Sequence, residues 1–561
     1  MEVTTPGLLR AVRGGLALYV GLSLTACGGG VEPADLVLVG GPVVTLDEVE
    51  VAGGIAVRGE HIVAVGDEAD VRRYVGEATR VIELEGRSVL PGLADNHFHS
   101  IGGGPGVDLS GARSLEEALN AIAARADETP AGEIIVTNSD WHEGQLVEQR
   151  LPYRADLDQA TSSHPVVVVR GGHEYILNSA ALERWDIDES VQPVAGGRIG
   201  RYADGRLNGE LVDRAKDLVE LPPRPARDRA AEKEDLVDAY QTLARRGLTA
   251  VRHPGGSLEQ YEMIRELRDD GRLPVRVEYL FRAPRSGSPE DLRAVMATWP
   301  DQGGDDWLAV GGVKLGVDGG FEGGLMREPY EEPWGEGGTF HGLQTVPREP
   351  FIESVVELRR AGRRAATHAV GDAAIDLVLD GYRAADAVAP LDGERWVLEH
   401  GFIPRDDHFP VMRELGVVAS VQDHLYLAAP SLVEYWGPDR AAWTTPLRAY
   451  MEADISVSLG TDSPVVPYDP WWVLHHFTTR GTISAGVLDD AQGVSRLDAL
   501  RAATEGYAYL VFAEDRRGIL APGMLADLIV TSEPYLECPD PCLETMEVDL
   551  TVVGGRIVWE R

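Results

Sequence analysis

The chain alternates between two hydrophobic periods. Short β-branched runs of five to nine residues recur through its middle, and between them apolar positions fall at helical spacing, the pattern of a parallel α/β fold. Eight runs qualify as strands of one barrel: 89–97, 248–253, 275–281, 311–316, 365–369, 396–400, 417–421 and 455–461. They predict a (β/α)8 TIM barrel. The stretch from 100 to 247 is too long for one crossover and has strand-like runs of its own at 133–138 and 165–170. It is expected to be a subdomain inserted after strand one, over the barrel mouth, where such insertions shape substrate binding.

The two ends of the chain repeat one pattern. The runs starting at Asp35 (Asp-Leu-Val-Leu-Val-Gly-Gly-Pro-Val-Val) and at Asp549 (Asp-Leu-Thr-Val-Val-Gly-Gly-Arg-Ile-Val) are both β-rich and broken by Gly-Gly, a hairpin signal. With further strand-like runs at 53–65, 80–89 and 525–531, they predict a small β-sandwich built from residues 31–88 and 516–561, flanking a barrel over 89–515.

The first residues read as a targeting segment. Arg10 and Arg13 precede an apolar run, 14–24, too short for a permanent span, and then Leu24-Thr25-Ala26-Cys27. That tetrapeptide resembles the bacterial lipoprotein box, so residues 1–27 are expected to be a signal peptide, with Cys27 lipidated and the protein exported to the periplasm or cell surface. Export places Cys538 and Cys542 in an oxidising compartment, where a disulfide between them is the expectation. The formal net charge of −39 excludes nucleic acid and anionic lipid as partners, which leaves the membrane reachable only through the N-terminal lipid. A small-molecule substrate is expected, and a homodimer is compatible with it.

Chemistry concentrates where the apolar runs stop. His97 and His99 sit at i and i+2, on one face of a strand. Lys314 stands in Gly-Gly-Val-Lys-Leu-Gly-Val-Asp318; the chain has lysine only at 216, 233 and 314 among 52 basic residues. Keeping an amine there suggests chemistry a guanidinium cannot do, such as capture of CO2 as a carbamate, although an ion pair with Asp318 is the structural alternative. His368, His400 and Asp462 end three further runs. In a closed parallel barrel all these ends converge on one face, and imidazole with carboxylate suits zinc, with manganese, nickel or iron as alternatives.

The order His-x-His, Lys, His, His, Asp resembles the amidohydrolase superfamily. The segments 170–182, 313–319, 368–372 and 518–528 are similar to amidohydrolase family 3, which includes N-substituted formamide deformylases. The resemblance implies one or two divalent ions: His97 and His99 on one, with Asp462 beside them, His368 and His400 on the other, and carboxylated Lys314 bridging. It implies a metal-dependent hydrolase acting on a C–N bond other than a peptide bond (an amide, an N-substituted formamide or a cyclic amide) by metal-activated hydroxide. Asp462 takes the proton from the nucleophile and passes it to the leaving nitrogen, with His400 also in the catalytic set. His173, Trp141, Gln422 and Asp318 are candidates for lining the substrate site. Two departures from the family stand out: Gly-Gly-Phe-Glu-Gly-Gly-Leu-Met-Arg-Glu-Pro-Tyr after Asp318, and Gln422-Asp423 where Gln-Pro is usual. A lactonase or esterase on the same barrel, or a ligand-binding lipoprotein without turnover, are the alternatives.

Overall fold

The computed structural model describes residues 31–223 and 227–561; the signal segment with Cys27 lies outside the described residues. Eight parallel strands form the barrel: β1 (Leu93–Asp95), β2 (Leu248–Gly256), β3 (Arg276–Arg282), β4 (Leu308–Gly316), β5 (Ala365–Ala369), β6 (Val397–His400), β7 (Val418–Gln422) and β8 (Val457–Gly460). They pair in chain order from β1 to β8. The seam is nearly closed, with the Asn96 N–H donating to the Leu459 carbonyl at 3.1 Å and a parallel bridge joining Phe98 to Ser463. The short runs are buried along most of their length, and Val418–Gln422 along all of it, because helices such as Arg348–Arg360 and Asp372–Asp386 cover their outer faces.

The barrel interior carries charge. Arg252 of β2 forms an ion pair with Glu278 of β3 at 2.9 Å and donates a hydrogen bond to Glu399 of β6 at 2.5 Å, and Arg364, just before β5, comes within 3.9 Å of Glu278. Strands β2 and β6 lie opposite each other, so the Arg252–Glu399 pair crosses the barrel. All four side chains are buried, and the two positive and two negative charges balance.

The expected single strand 89–97 is two strands. Val89–Pro91 pairs with Leu528–Val530 in the terminal sheet, whereas Leu93–Asp95 pairs with β2. The change of partner falls at Gly92, where a Cβ would come within 2.3 Å of the Thr249 side chain. The terminal sheet runs Arg556–Glu560, Val548–Val553, Leu528–Thr531, Val89–Pro91, Leu36–Val44, Val51–Arg58, His61–Gly66, with Arg80–Glu83 parallel to Leu36–Val44. Only one of the two Gly-Gly pairs makes a hairpin. Gly554 and Gly555, both at positive φ, turn the last two strands. Gly40-Gly41 instead lies inside one continuous strand, at a register shift between Val39 and Val43 that lets Arg80–Glu83 and Val89–Pro91 pair in succession along one edge. Arg276 and Asp527 pin this sheet to the barrel through two hydrogen bonds of 2.7 and 2.9 Å.

The insertion has a five-stranded sheet ordered Gly197–Arg201, Leu207–Asp213, Glu174–Leu177, Val166–Arg170, Ile135–Val136. Arg170 clamps it onto the barrel mouth, with one nitrogen 2.6 Å from Glu143 and another 3.0 Å from Glu322 in the loop after β4. Ser431, in the helix after β7, donates to the same Glu143 at 2.7 Å. Trp141 is a core residue of the insertion rather than a wall of the substrate site: its Nε1 donates to the Val169 carbonyl and its ring packs with Leu146 and Ile176. The disulfide expected between Cys538 and Cys542 is not formed; both are free thiols. Cys542 belongs to the short helix Asp540–Glu544, while Cys538 precedes its Pro539 cap and faces Arg496 and the Tyr535 carbonyl. Among the described residues no helix is long and apolar enough to cross a membrane.

Candidate metal centre

The strand ends gather most of the predicted donors. One ligand atom each from His97, His400 and Asp462 lie within 4.8 Å of one another. His99 Nε2 is 3.2 Å from Asp462 Oδ1, and Lys314 Nζ is 3.4 Å from His97 Nε2. His368 packs edge-to-face on His400 with ring centroids 4.6 Å apart, but its Nε2 lies 3.0 Å from the Gly319 carbonyl. Two of these groups hold backbone conformations that favour glycine, His400 at φ 69° and Asp462 at φ 61°, the kind of strain that surrounding structure sustains at functional sites. Part of that support is direct, since the Asp462 N–H donates to the His97 carbonyl at 2.7 Å. Asp95 adds more by accepting from the His97 N–H (3.0 Å) and from the Thr461 hydroxyl (2.6 Å), which ties the end of β1 to the end of β8.

Each central imidazole has an orienting partner. Glu399 Oε2 accepts from His97 Nδ1 at 2.8 Å, leaving Nε2 to the cluster, and Gln422 Oε1 holds His400 Nδ1 at 2.7 Å. Carboxylate or amide support of a ligating imidazole is the usual outer layer of a metal site. Gln422 therefore positions His400 from beneath, bonded also to Asn96 and Ser420, instead of lining the substrate cavity. The Lys314–Asp318 ion pair does not form; Asp318 accepts backbone N–H groups of Leu325, Val370 and Gly371 at 3.0–3.1 Å.

Protonation states suit a divalent cation. Burial lowers His97 to about 4 and holds His368 and His400 well below the usual imidazole range, so all three keep a free lone pair at neutral pH. Burial brings Lys314 down to about 8. Burial alone would raise Asp462, but His97 and hydrogen bonds from His424 and His99 outweigh it and keep the carboxyl well below its ordinary value. Neutral imidazoles, an ionised carboxylate and a readily deprotonated amine in one cluster are a donor set for a hard or borderline metal ion. A second acidic group, Asp376, Asp407 and His408, is occupied by Arg327, which bonds all three.

Three contributors went unrecognised in the sequence reading: Glu399, Arg252 and His424, the last donating from the start of the helix after β7 to Asp462 Oδ2 at 3.1 Å. Glu399 and Arg252 interrupt apolar strand runs, the same signal that singled out Lys314. His424 had no comparable mark. His173 does face the cavity, stacked on His368 with centroids 5.4 Å apart and bonded to Asp213 at 2.6 Å. A cavity of about 410 Å³ opens over the cluster, walled by His97, His173, Asp213, Arg282, Lys314 and Asp462 among others.

A sequence model described as the amidohydrolase family matches residues 80–559, barrel and donors included. The chain belongs to the amidohydrolase family. This hydrolase is 28% identical over 525 residues to the protein LONG AFTER FAR-RED 3 of Arabidopsis thaliana, covering 89% of this chain and 87% of that one. It is 26% identical over 548 residues to the N-substituted formamide deformylase of Arthrobacter pascens, covering 94% and 98%. Among solved structures it resembles an uncharacterized metal-dependent hydrolase from Pyrococcus furiosus, at 25% identity and a TM-score of 0.63, covering 90% of this chain and all of that one.

Proposed function

We propose that this amidohydrolase is a metal-dependent enzyme that hydrolyses a C–N bond outside peptides, in an amide, N-substituted formamide or cyclic amide. The observation that carries the reading is the convergence of His97, His400 and Asp462 at the barrel mouth, with Lys314 and His99 against them. Its similarity along nearly the whole chain to a formamide deformylase supports the bond type.

Zinc is the metal the donor set favours, and a bound divalent ion would acidify water and polarise the scissile carbonyl. His97, His99, His400, Asp462 and Lys314 would hold it, with His368 on the far side of His400. Asp462, ionised and fixed by His424, accepts the proton of the attacking water and returns it to the leaving nitrogen. Lys314 Nζ, when neutral, would add to CO2, forming an N–C bond as one C=O π bond opens and one proton leaves, and the anionic carbamate would supply oxygen donors to the metal. Glu399 and Gln422 keep the imidazoles aimed. The Leu24-Thr25-Ala26-Cys27 box supports the further reading that the enzyme is exported and lipid-anchored.

Two measurements test this. Metal content per purified chain should be near one or two ions, and a panel of formamides, amides and cyclic amides should turn over in preference to matched esters and lactones. A metal-loaded chain that cleaves only the esters and lactones would overturn the C–N assignment.

A further inference from the structure

Two of the three lysines in the chain, Lys216 and Lys314, line the same cavity. Lys314 belongs to the metal cluster; Lys216 does not. It stands on the cavity wall with Arg214, Arg282 and Arg285. With Lys314 that makes five cationic side chains around one cavity against three carboxylates (Asp213, Asp318 and Asp462), an unexpected excess in a protein of net charge −39, whose overall field repels anions.

Accounting for the carboxylates sharpens the point. Arg214 and Arg285 share Asp217, each at 3.2 Å. Asp213 bonds His173 through Oδ1, and its Oδ2 is buried without a hydrogen-bond partner, out of ion-pair range of Lys216 and Arg282. Lys216 and Arg282 form no ion pair with any carboxylate among the described residues. Both are nevertheless held in place. Lys216 Nζ donates to the Gly172 carbonyl and lies 5.1 Å from the centroid of the Tyr175 ring. Arg282 ends β3 in register with Lys314 on β4, and its Nε donates to the Gly255 carbonyl at 3.1 Å. A Cβ at residue 255 would stand 3.1 Å from that Nε and 3.3 Å from Cζ, so the guanidinium is seated on bare backbone. Arg282 is exposed on the cavity wall, and its two terminal amino groups bond no acceptor among the described residues, so the flat fork that matches a carboxylate is accessible to a ligand in that cavity. Leu292, Val346 and Phe351 add an apolar section to the same wall.

We propose that Arg282 and Lys216 form an anion subsite, and that the substrate is an amide bearing a carboxylate. This rests on the C–N hydrolase reading above and narrows it: the scissile amide lies on the metal cluster, the carboxylate on Arg282 and Lys216, and an apolar substituent against Leu292, Val346 and Phe351.

The test uses the zinc-loaded full chain and matched twins such as N-formyl-leucine and its neutral counterpart N-formyl-leucine amide, with N-acetyl and other side-chain versions. Turnover and calorimetric binding are both read. The carboxylate twin should be favoured about tenfold or more, the worth of a charged hydrogen bond. The carboxylate-to-carboxamide ratio should fall toward one in Arg282→Gln, through KM more than kcat, fall partly in Lys216→Met, and be partly kept in Arg282→Lys. A panel in which no carboxylate outperforms its twin overturns the subsite, as does a preference that survives both Arg282→Gln and Lys216→Met. The two readings fail separately. Twins hydrolysed equally well remove the anion site and leave the hydrolase; twins separated in binding but never hydrolysed uphold the anion site and remove the C–N reaction.

Discussion

Replacing Glu399 with glutamine tests whether the charged barrel interior serves the metal centre. Both carboxylate oxygens of this fully buried side chain are committed, one to His97 Nδ1 at 2.8 Å and one to Arg252 at 2.5 Å. Both partners are donors, so an amide can satisfy one and must turn its own NH2 against the other. Arg252 would retain Glu278 but lose its second counter-charge, and uncoupling one member of a buried pair costs about 3 kcal/mol or more, a large share of ordinary folding stability. If the amide oxygen follows Arg252 instead, His97 loses its orienting acceptor, which lowers metal affinity about 10- to 100-fold. Urea unfolding of the chelator-treated protein reads the first effect, and competition with a zinc chelator reads the second. Glu399→Gln should fail in at least one of the two. A variant within about 0.5 kcal/mol of the parent in stability, and within about twofold in zinc affinity, would refute the coupling described here.

Lys314→Ala should lose one metal equivalent and most turnover, and Lys314→Arg should do no better, because a guanidinium stays charged and cannot form a carbamate; metal analysis with activity on the loaded protein decides. Asp462→Asn should lower kcat at least about 10²-fold with metal still bound, read in steady-state kinetics on the best amide of the panel. Asp527→Asn removes a bidentate partner of Arg276. The Asp527 carboxyl is depressed because Arg276 and its hydrogen bonds outweigh burial, so the stability it contributes is in place above its unfolded value of about 3.9 and fades as pH falls toward the folded one; parent and variant should differ in urea at pH 7 and converge in acid. Cys27→Ser should move the protein from membrane to soluble fractions on cell fractionation.

The donors were legible because each closes an apolar run, and a barrel brings all such closures to one rim. His97, Lys314, His400 and Asp462 needed no knowledge of tertiary contacts beyond that. What the linear pattern concealed was pairing across the barrel: Glu399 meets a histidine 302 positions away and an arginine 147 positions away, and nothing local announces either. Charge inside an apolar strand was the available mark, and it was followed at Lys314 only. Trp141 and Gln422 illustrate the opposite error. A polar or aromatic residue near a rim is as readily bonded downward, to the Val169 carbonyl or to His400, as outward to a ligand. The double role of residues 89–95 was hidden because periodicity marks a strand but not its neighbours, and the change of neighbour hangs on the single crowded Gly92.

That change of neighbour bears on how the protein could ever be taken apart. Three residues of the terminal sheet and three of the barrel are separated by one glycine, and His97 follows two positions later. There is no linker to cut and no slack to absorb movement. The terminal sheet is therefore no interchangeable module: grafting it elsewhere, exchanging it for a relative's, or permuting the chain between residues 89 and 97 would displace His97 and His99, the first of the proposed metal ligands. A displacement of that sheet has only Gly92, the three residues of β1 and Asn96 to absorb it before it reaches His97.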